Sequence, residues 1–215
     1  MTDAQAPLLV LGTRPFSAEI ADLAGDAGYE VVGFVENLSR ERCDDTLEGL
    51  PIRWIDELGD LAATHLAVCG LGTTRRSIFV EQAVDRGLRF ATVIHPTARV
   101  SRTSSIGEGS IVSAGVTVAS HAVVGRHVLL NRGALVGHHT VVGDYASIMA
   151  GANVAGHCRV GDQAFLGMGS IVIDHISVGP GSVVGAGAVV TKDMPGGVEV
   201  IGVPARIAKE GIEAR

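Results

Sequence analysis

Branched aliphatic residues recur at every sixth position from Ile94 to Val190. The series runs Ile94, Val100, Ile106, Val112, Val118, Val124, Leu130, Val136, Val142, Ile148, Val154, Val160, Leu166, Val172, Val178, Val184 and Val190 without interruption. Four places after each there is usually a small residue, as at Ala98, Ser110, Ala122, Ala134, Ala146, Ala152, Ala164, Ser170, Ser182 and Ala188. The place just after the aliphatic is often glycine, as at Gly107, Gly125, Gly137, Gly143, Gly161, Gly167, Gly179 and Gly185. Six residues supply one short strand and one corner, so three hexads complete a triangular coil. The aliphatic is expected to fill the interior, with the small residue beside it where a corner leaves little room. Glycine is expected to relieve the backbone where turns crowd. Ordinary Val-rich strands would alternate with loops of variable length. An unbroken count of six predicts a β-helix over residues 94–190, with stacking of coils supplying the core.

The preceding sequence follows a different rhythm. Pro7 to Gly12, Glu30 to Val35, Ile52 to Ile55, His65 to Cys69 and Phe90 to Ile94 read as strands. Ser17 to Ala27, Asp56 to Ala63 and Arg75 to Arg86 read as helices. Strands alternating with helices imply βαβ units and a parallel sheet, which predicts a small α/β domain over 1–93. His95-Pro96 marks the hand-over. Beyond Val190, Thr191 to Pro204 reads as loop because of its prolines and glycines. Ala205 to Arg215 reads as a short terminal helix, giving a third segment over 191–215.

Composition narrows the function. The chain has 215 residues, 29 of them glycine, and only 4% aromatics, which suits a coil packed with small aliphatics. Mean hydropathy is +0.34, but the apolar residues are spread through the repeat, and no run approaches a membrane span. No membrane insertion is expected. No basic-then-apolar leader precedes Leu8, so no signal peptide is expected. The net charge of −6, with no basic run, argues against nucleic acid. Cys43, Cys69 and Cys158 are few and odd in number, as reduced thiols of a cytoplasmic protein would be.

Several stretches carry a resemblance. They are Val93-Ile94-His95-Pro96-Thr97-Ala98, Leu130-Asn131, Val136-Gly137-His138, Val189-Val190-Thr191-Lys192-Asp193 and Ile201-Gly202-Val203-Pro204-Ala205-Arg206. With the order of an α/β domain followed by hexapeptide coils, they resemble the hexapeptide-repeat sugar acetyltransferases. More narrowly, they resemble sialic acid O-acetyltransferases and amino nucleotide-sugar N-acetyltransferases of the bacillosamine type. The resemblance implies a Rossmann-like N-terminal domain and a left-handed parallel β-helix. It also implies a homotrimer with acetyl-CoA bound between adjacent β-helices, and a sugar or nucleotide-sugar acceptor. It leaves open which sugar, and whether an amine or a hydroxyl attacks.

Under that resemblance His138 is the general base. Acetyl transfer from a thioester needs a group near neutral pKa to take the proton of the attacking nucleophile. Members of the family commonly place Asp or Glu after this histidine. Here His139 stands instead, so either another carboxylate or carbonyl orients the ring, or the base is less activated. Asn131 matches a family asparagine near the acceptor and is read as substrate positioning or as a simple corner hydrogen bond. Ser147, Gly156, Met168 and Ala186 correspond to acetyl-CoA contacts, Ser147 standing where the family often has histidine. Lys192 and Arg206 are candidate phosphate partners or ordinary solvated charges. In the first domain, Gly12, Thr13 and Arg14 replace the family's Gly-rich turn. Pro15 removes an amide that a phosphate would use, and Arg14 offers a guanidinium in exchange. Glu36 and Asn37 stand where an acidic pair meets a uridine or ribose, and Gly70 ends the third strand. These loops are expected to converge beyond the strand ends, unless the domain serves only as a cap.

One feature lies outside the resemblance. His121, His139, His157 and His175 are eighteen residues apart, one full coil, and should stack in a column about 4.8 Å apart. Their charged forms would repel and depress one another's pKa values. The column is read as a metal-capable or pH-sensitive ladder, or as the plain tolerance of stacked corners for identical residues. Two other functions fit the same coil: a zinc enzyme of the γ-carbonic-anhydrase type and a non-catalytic scaffold. Zinc needs converging imidazoles, whereas His121, His139 and His157 run in line, so no metal is expected.

Overall fold

In a computed structural model, residues 6–212 are described. They form two compact units, one of residues 6–72 and 76–96, the other of residues 73–75 and 97–212. The first is an α/β sandwich. β1 (Leu8–Leu11), β2 (Val31–Glu36), β3 (Thr46–Leu47), β4 (Leu50–Trp54), β5 (Leu66–Cys69) and β6 (Arg89–Phe90) form one sheet. Their order is β3-β4-β2-β1-β5-β6, parallel except for the β3–β4 hairpin. Every residue of β1 is buried, as befits a central parallel strand covered on both faces. The chain leaves β1 for β2 on one side and later returns on the other at β5. That topological switch brings the loops after β1, β2 and β5 to one edge of the sheet, where open α/β sheets bind ligands.

Helices α1 (Pro15–Asp26), α2 (Leu61–Thr64) and α3 (Ser77–Asp85) complete this unit. α1 opens with Pro15 at its first turn, where a missing amide costs least. The helix expected over 56–63 is a single 3-10 turn, Ile55–Glu57, followed by the short α2. Gly59 sits between them at φ 49° and interrupts the helix. The expected strand Phe90 to Ile94 is likewise two pieces, β6 and Val93–Ile94.

The second unit is a left-handed parallel β-helix. Each aliphatic of the hexad series is the second residue of a two-residue strand, from Val93–Ile94 to Val189–Val190. Strands eighteen residues apart pair in parallel register, as in Ile111↔Leu129↔Ser147↔Phe165↔Val183. Val112, Leu130, Ile148, Leu166 and Val184 are fully buried and stack up one wall of the prism. The first positions of the series depart from this pattern. Ile94 is exposed and Val100 and Ile106 are only partly buried, because the prism closes fully only from Val112 onward. The small residues do point inward. Ser110 Oγ is satisfied by the coils, donating to Gly125 O at 2.8 Å and accepting from Val128 N at 2.9 Å, and Ser182 Oγ donates to Pro195 O at 2.8 Å, whereas the buried Ser170 Oγ has no hydrogen-bond partner among the described residues.

Two corner positions matter. The glycines just after the aliphatic, such as Gly137 and Gly167, face the backbone of the next coil so closely that a Cβ would overlap it. Their task is close approach between coils. The left-handed conformation belongs two places later, three after the aliphatic. One column there is all glycine, Gly115, Gly133, Gly151, Gly169 and Gly187, at φ 64–68°. A second contains His127, Tyr145 and Gln163, and a third His121, His139, His157 and His175, all with φ between 53 and 62°.

The expected terminal helix is overturned. Val198–Ile201 continues the sheet above Val183–Val184, and Arg206–Glu210 folds back antiparallel onto it. A short isolated helix is marginal, whereas the open edge of the sheet offers backbone partners residue by residue. Residues 213–215 of that call lie outside the described residues.

Candidate active site

His138 follows Gly137 at the corner between the strands Leu135–Val136 and Val141–Val142. Its ring is exposed and lies flat over Gly156 of the next coil; a Cβ there would come within 2.7 Å of its Cε1 and Nε2. Glycine at 156 therefore makes room for the imidazole. His157 N donates to His138 O at 2.9 Å, which ties the two corners together.

His138 and His139 do not face opposite sides of the corner, as consecutive residues in extended chain would. His139 is left-handed at φ 57°, which swings its side chain beside that of its neighbour. The two Nδ1 atoms are 3.2 Å apart, a hydrogen bond in which one ring donates and the other accepts. The position where the family commonly has a carboxylate holds a second imidazole here. The column itself forms as expected, with ring centroids 4.8, 4.9 and 4.8 Å apart from His121 through His139 and His157 to His175. His139 is held below its ordinary pKa, first by desolvation and then by repulsion from His121, His157 and His138. His138 also meets His157 edge-on at 5.0 Å. So three imidazoles, His138, His139 and His157, cluster beside a column that by itself runs in line. The sequence reading missed this cluster because it treated the column and the base as separate features; positions 138, 139 and 157, one coil apart, were its only signal.

The remaining site residues divide between corners. Asn131 is buried at the corner before Leu135–Val136, its Oδ1 accepting from Arg132 N at 2.7 Å. It stands at the other end of that strand from His138, so the two do not meet within one chain. Ser147 is buried on the strand Ser147–Ile148. Met168 and Ala186, one coil apart, are exposed on the corner that carries Asn131. Gly156 lies on the His138 corner, and Lys192 continues that register three coils beyond His138. Lys192 and Arg206 both line a cavity of about 240 Å³ with Thr191, Pro195 and Ile207.

In the α/β unit the three loops do converge. Gly12, Thr13, Arg14, Glu36, Asn37 and Leu71 line a small cavity of about 60 Å³. Gly12 is left-handed at φ 110°, and a Cβ there would meet Ser17 Oγ at 2.6 Å. Gly70 packs on Ser17 and accepts its hydroxyl at 3.0 Å, a structural task. Glu36 is already engaged: Thr13 Oγ1 donates to Oε2, and the Asn37 and Leu38 amides donate to Oε1 at 2.9 and 2.8 Å. Burial works to raise its pKa, but these hydrogen bonds outweigh it and hold the carboxylate below its ordinary range. Asn37 donates to Gln82. Arg14 is exposed. Arg42 was not foreseen. It lies on the 3-10 turn Arg40–Asp44, lines the cavity, and donates to Thr13 O and Oγ1 at 3.0 and 3.1 Å.

Residues 157–192 match the bacterial transferase hexapeptide (six repeats) family model. No curated protein sequence matches the chain. Among solved structures, a variant of perosamine N-acetyltransferase from Caulobacter crescentus with one histidine replaced by asparagine, in complex with CoA and GDP-perosamine, is 28% identical. That match covers 95% of this chain and 97% of that one at a TM-score of 0.88. The same enzyme has been solved with one histidine replaced by asparagine and by alanine. The acetyltransferase domain of PglB from Neisseria gonorrhoeae, in complex with acetyl coenzyme A, is 28% identical over 94% of this chain and 99% of that one, TM-score 0.86. WeeI from Acinetobacter baumannii is 27% identical over 94% and 99%, TM-score 0.84. In its repeat, and in its fold over nearly its whole length, the chain resembles the hexapeptide-repeat sugar acetyltransferases.

Proposed function

We propose that the chain is an acetyl-CoA-dependent N-acetyltransferase for an amino nucleotide-sugar, with His138 as general base. It is an enzyme of the acyltransferase class that takes its acyl group from CoA. The observation that carries this reading is the near full-length match to enzymes solved with CoA and a nucleotide amino-sugar. Within it, His138 Nε2 takes a proton from the acceptor amine as nitrogen bonds to the thioester carbonyl carbon. The tetrahedral intermediate then expels the CoA thiolate, which is protonated as it leaves. No covalent enzyme intermediate is needed, since positioning the two substrates supplies much of the acceleration.

His139 completes the base. We assign the proton between the two Nδ1 atoms, 3.2 Å apart, to His138, with His139 Nδ1 accepting it. That assignment leaves the Nε2 lone pair free.

The functional form is a homotrimer with sites shared between copies. The outward side chains Val123, Leu135, Val141 and Ile171 are exposed apolar residues on the flat faces of the coil. Asn131, Met168 and Ala186 on one corner would then meet His138 and Gly156 of an adjacent copy. Lys192 and Arg206 are assigned to CoA phosphates. The cavity of Gly12, Thr13, Arg14, Glu36 and Asn37 is assigned to the nucleotide, with Arg14 and Arg42 supplying positive charge. Gly70 supports that loop by holding Ser17. Among the described residues no helix is long and apolar enough to cross a membrane. Cys43, Cys69 and Cys158 are free thiols, and burial pushes Cys69 up to about 11; a reducing cytoplasm suits them.

The test is a panel of amino nucleotide-sugars and their hydroxyl analogues with acetyl-CoA, read by thiol release. Turnover of an amine and not of the matching hydroxyl supports the reading. Turnover of hydroxyls alone would move the chain to O-acetylation.

A further inference from the structure

The imidazole cluster at the His138 corner has ligand chemistry beyond proton transfer. His138, His139 and His157 each offer a ring nitrogen, and these nitrogens all lie within 4.8 Å of one another. The closest pair, the Nδ1 atoms of His138 and His139, is 3.2 Å apart. Two nitrogens bound to one tetrahedral zinc at about 2.0–2.1 Å lie a little over 3 Å apart, so this pair is already at chelating distance. His157 stands one coil on, stacked on His139 at 4.9 Å and edge-on to His138 at 5.0 Å. All three rings are exposed, so His157 can turn its nitrogen toward the pair without disturbing the core.

The backbone beneath is rigid. His139 and His157 sit on left-handed corners at φ 57° and 56°, and His157 N is hydrogen-bonded to His138 O. A preformed cluster loses little freedom on binding an ion. Imidazole suits zinc, copper and nickel, whereas calcium and magnesium prefer oxygen. His121 and His175 belong to the same column but not to the cluster.

We propose that His138, His139 and His157 form a binding site for a single divalent transition-metal ion, such as Zn²⁺, and that its occupancy blocks acetyl transfer. The second half rests on the proposed role of His138. An ion on its Nδ1 replaces the proton that His138 donates to His139, and in the neutral ring that proton moves to Nε2, which then has no lone pair to serve as a base. The ion would complete its shell with water, and the site would act as an inhibitory metal sensor at the active corner.

The experiment titrates Co²⁺ into metal-free protein and follows its visible absorption, with Zn²⁺ added as competitor. Wild type should bind one equivalent per chain. His157→Asn, which keeps a residue tolerant of the left-handed corner, should weaken binding by about tenfold or more, the scale on which altered metal sites respond. His121→Asn and His175→Asn should leave it unchanged. Circular dichroism of each variant checks that the coil is retained, and His139→Asn provides a second loss. Absence of saturable binding by wild type overturns the site. So does equal weakening in His121→Asn or His175→Asn, which would make the column an undifferentiated ladder. Zn²⁺ should slow product formation, followed by chromatography because zinc binds thiols, and His157→Asn should resist it. Metal that binds without slowing the wild-type reaction overturns the inhibitory half. Metal-free protein that acetylates no acceptor fails the proposed function and leaves the titration intact. The two failures are therefore separable.

Discussion

The column Gly115, Gly133, Gly151, Gly169, Gly187 and the column His121, His139, His157, His175 share one backbone. Both occupy the third place after the hexad aliphatic, and both turn at φ near 60°. Glycine reaches that conformation without strain, whereas a side-chain-bearing residue gives up about 1 kcal/mol or more. Around Gly133, Gly151, Gly169 and Gly187 a Cβ would meet nothing within 4 Å, so steric crowding is not what selects glycine there. The lesson is that the coil sets only the dihedral. Glycine is the default, and imidazole at the same place is an expense that fold alone does not require. The proposed base, its imidazole neighbour and the proposed ligand cluster all gather on the costly corner.

The comparison assumes that the interior holds both columns alike, and Val142→Asp removes that interior. Val142 is 1% exposed, and an unpaired carboxylate there has no partner. The expected outcome is insoluble protein or loss of the oligomer. Soluble protein with an unchanged melting temperature would contradict the inward assignment. Next in size is the chemistry of the histidine corner. His138→Ala should lower turnover by roughly 10²–10⁴-fold with acetyl-CoA affinity nearly kept, as isothermal titration would read. His139→Asn should lower turnover less, about tenfold, since it removes only the group that orients the base.

The same variant tests acid sensitivity. His139 has a lower pKa folded than its ordinary 6.5, so near and below that pH the unfolded chain binds the proton more readily. Stability from this group is therefore complete above about 6.5 and falls as the solution is acidified. Melting temperatures between pH 8 and 5 should drop less steeply in His139→Asn than in wild type. An equal slope would assign the acid response elsewhere. The smallest effects are the most direct. Gly151→Ala should destabilise by about 1 kcal/mol through backbone strain alone, and His121→Gly should stabilise by a few tenths to about 1 kcal/mol. Denaturant midpoints resolve both. Opposite signs would show that stacking of the rings outweighs the strain.

How far the sequence was legible follows from the same contrast. The period of six located every strand of the coil, because one buried aliphatic per hexad is a packing requirement that tolerates no slip. His138 was singled out by its motif alone. What sequence did not show was the relation of His138 to His139, since the left-handed corner at 139 turns two consecutive side chains together. Residues along an extended chain normally alternate, and nothing in the order of residues announces this exception. The terminal strand Arg206–Glu210 was misread for a related reason: its composition suits a helix, but an open sheet edge decided the outcome. Arg42 was invisible because a 3-10 turn, which carries little periodic signal, brings it back to Thr13.

The eighteen-residue register carries a consequence for how such a chain can change in length. Deleting six residues from the middle of the coil would keep the aliphatic count and the filled prism. Every later residue, however, would shift by one third of a turn. Glycine corners would then stand above histidine corners, and the outward face of each wall would become that of its neighbour. Only a change of eighteen preserves the columns. Lengthening or shortening within the coil is therefore quantised twice, by six for folding and by eighteen for keeping side chains in line. A natural or engineered relative differing by six would be expected to fold and to have lost its site.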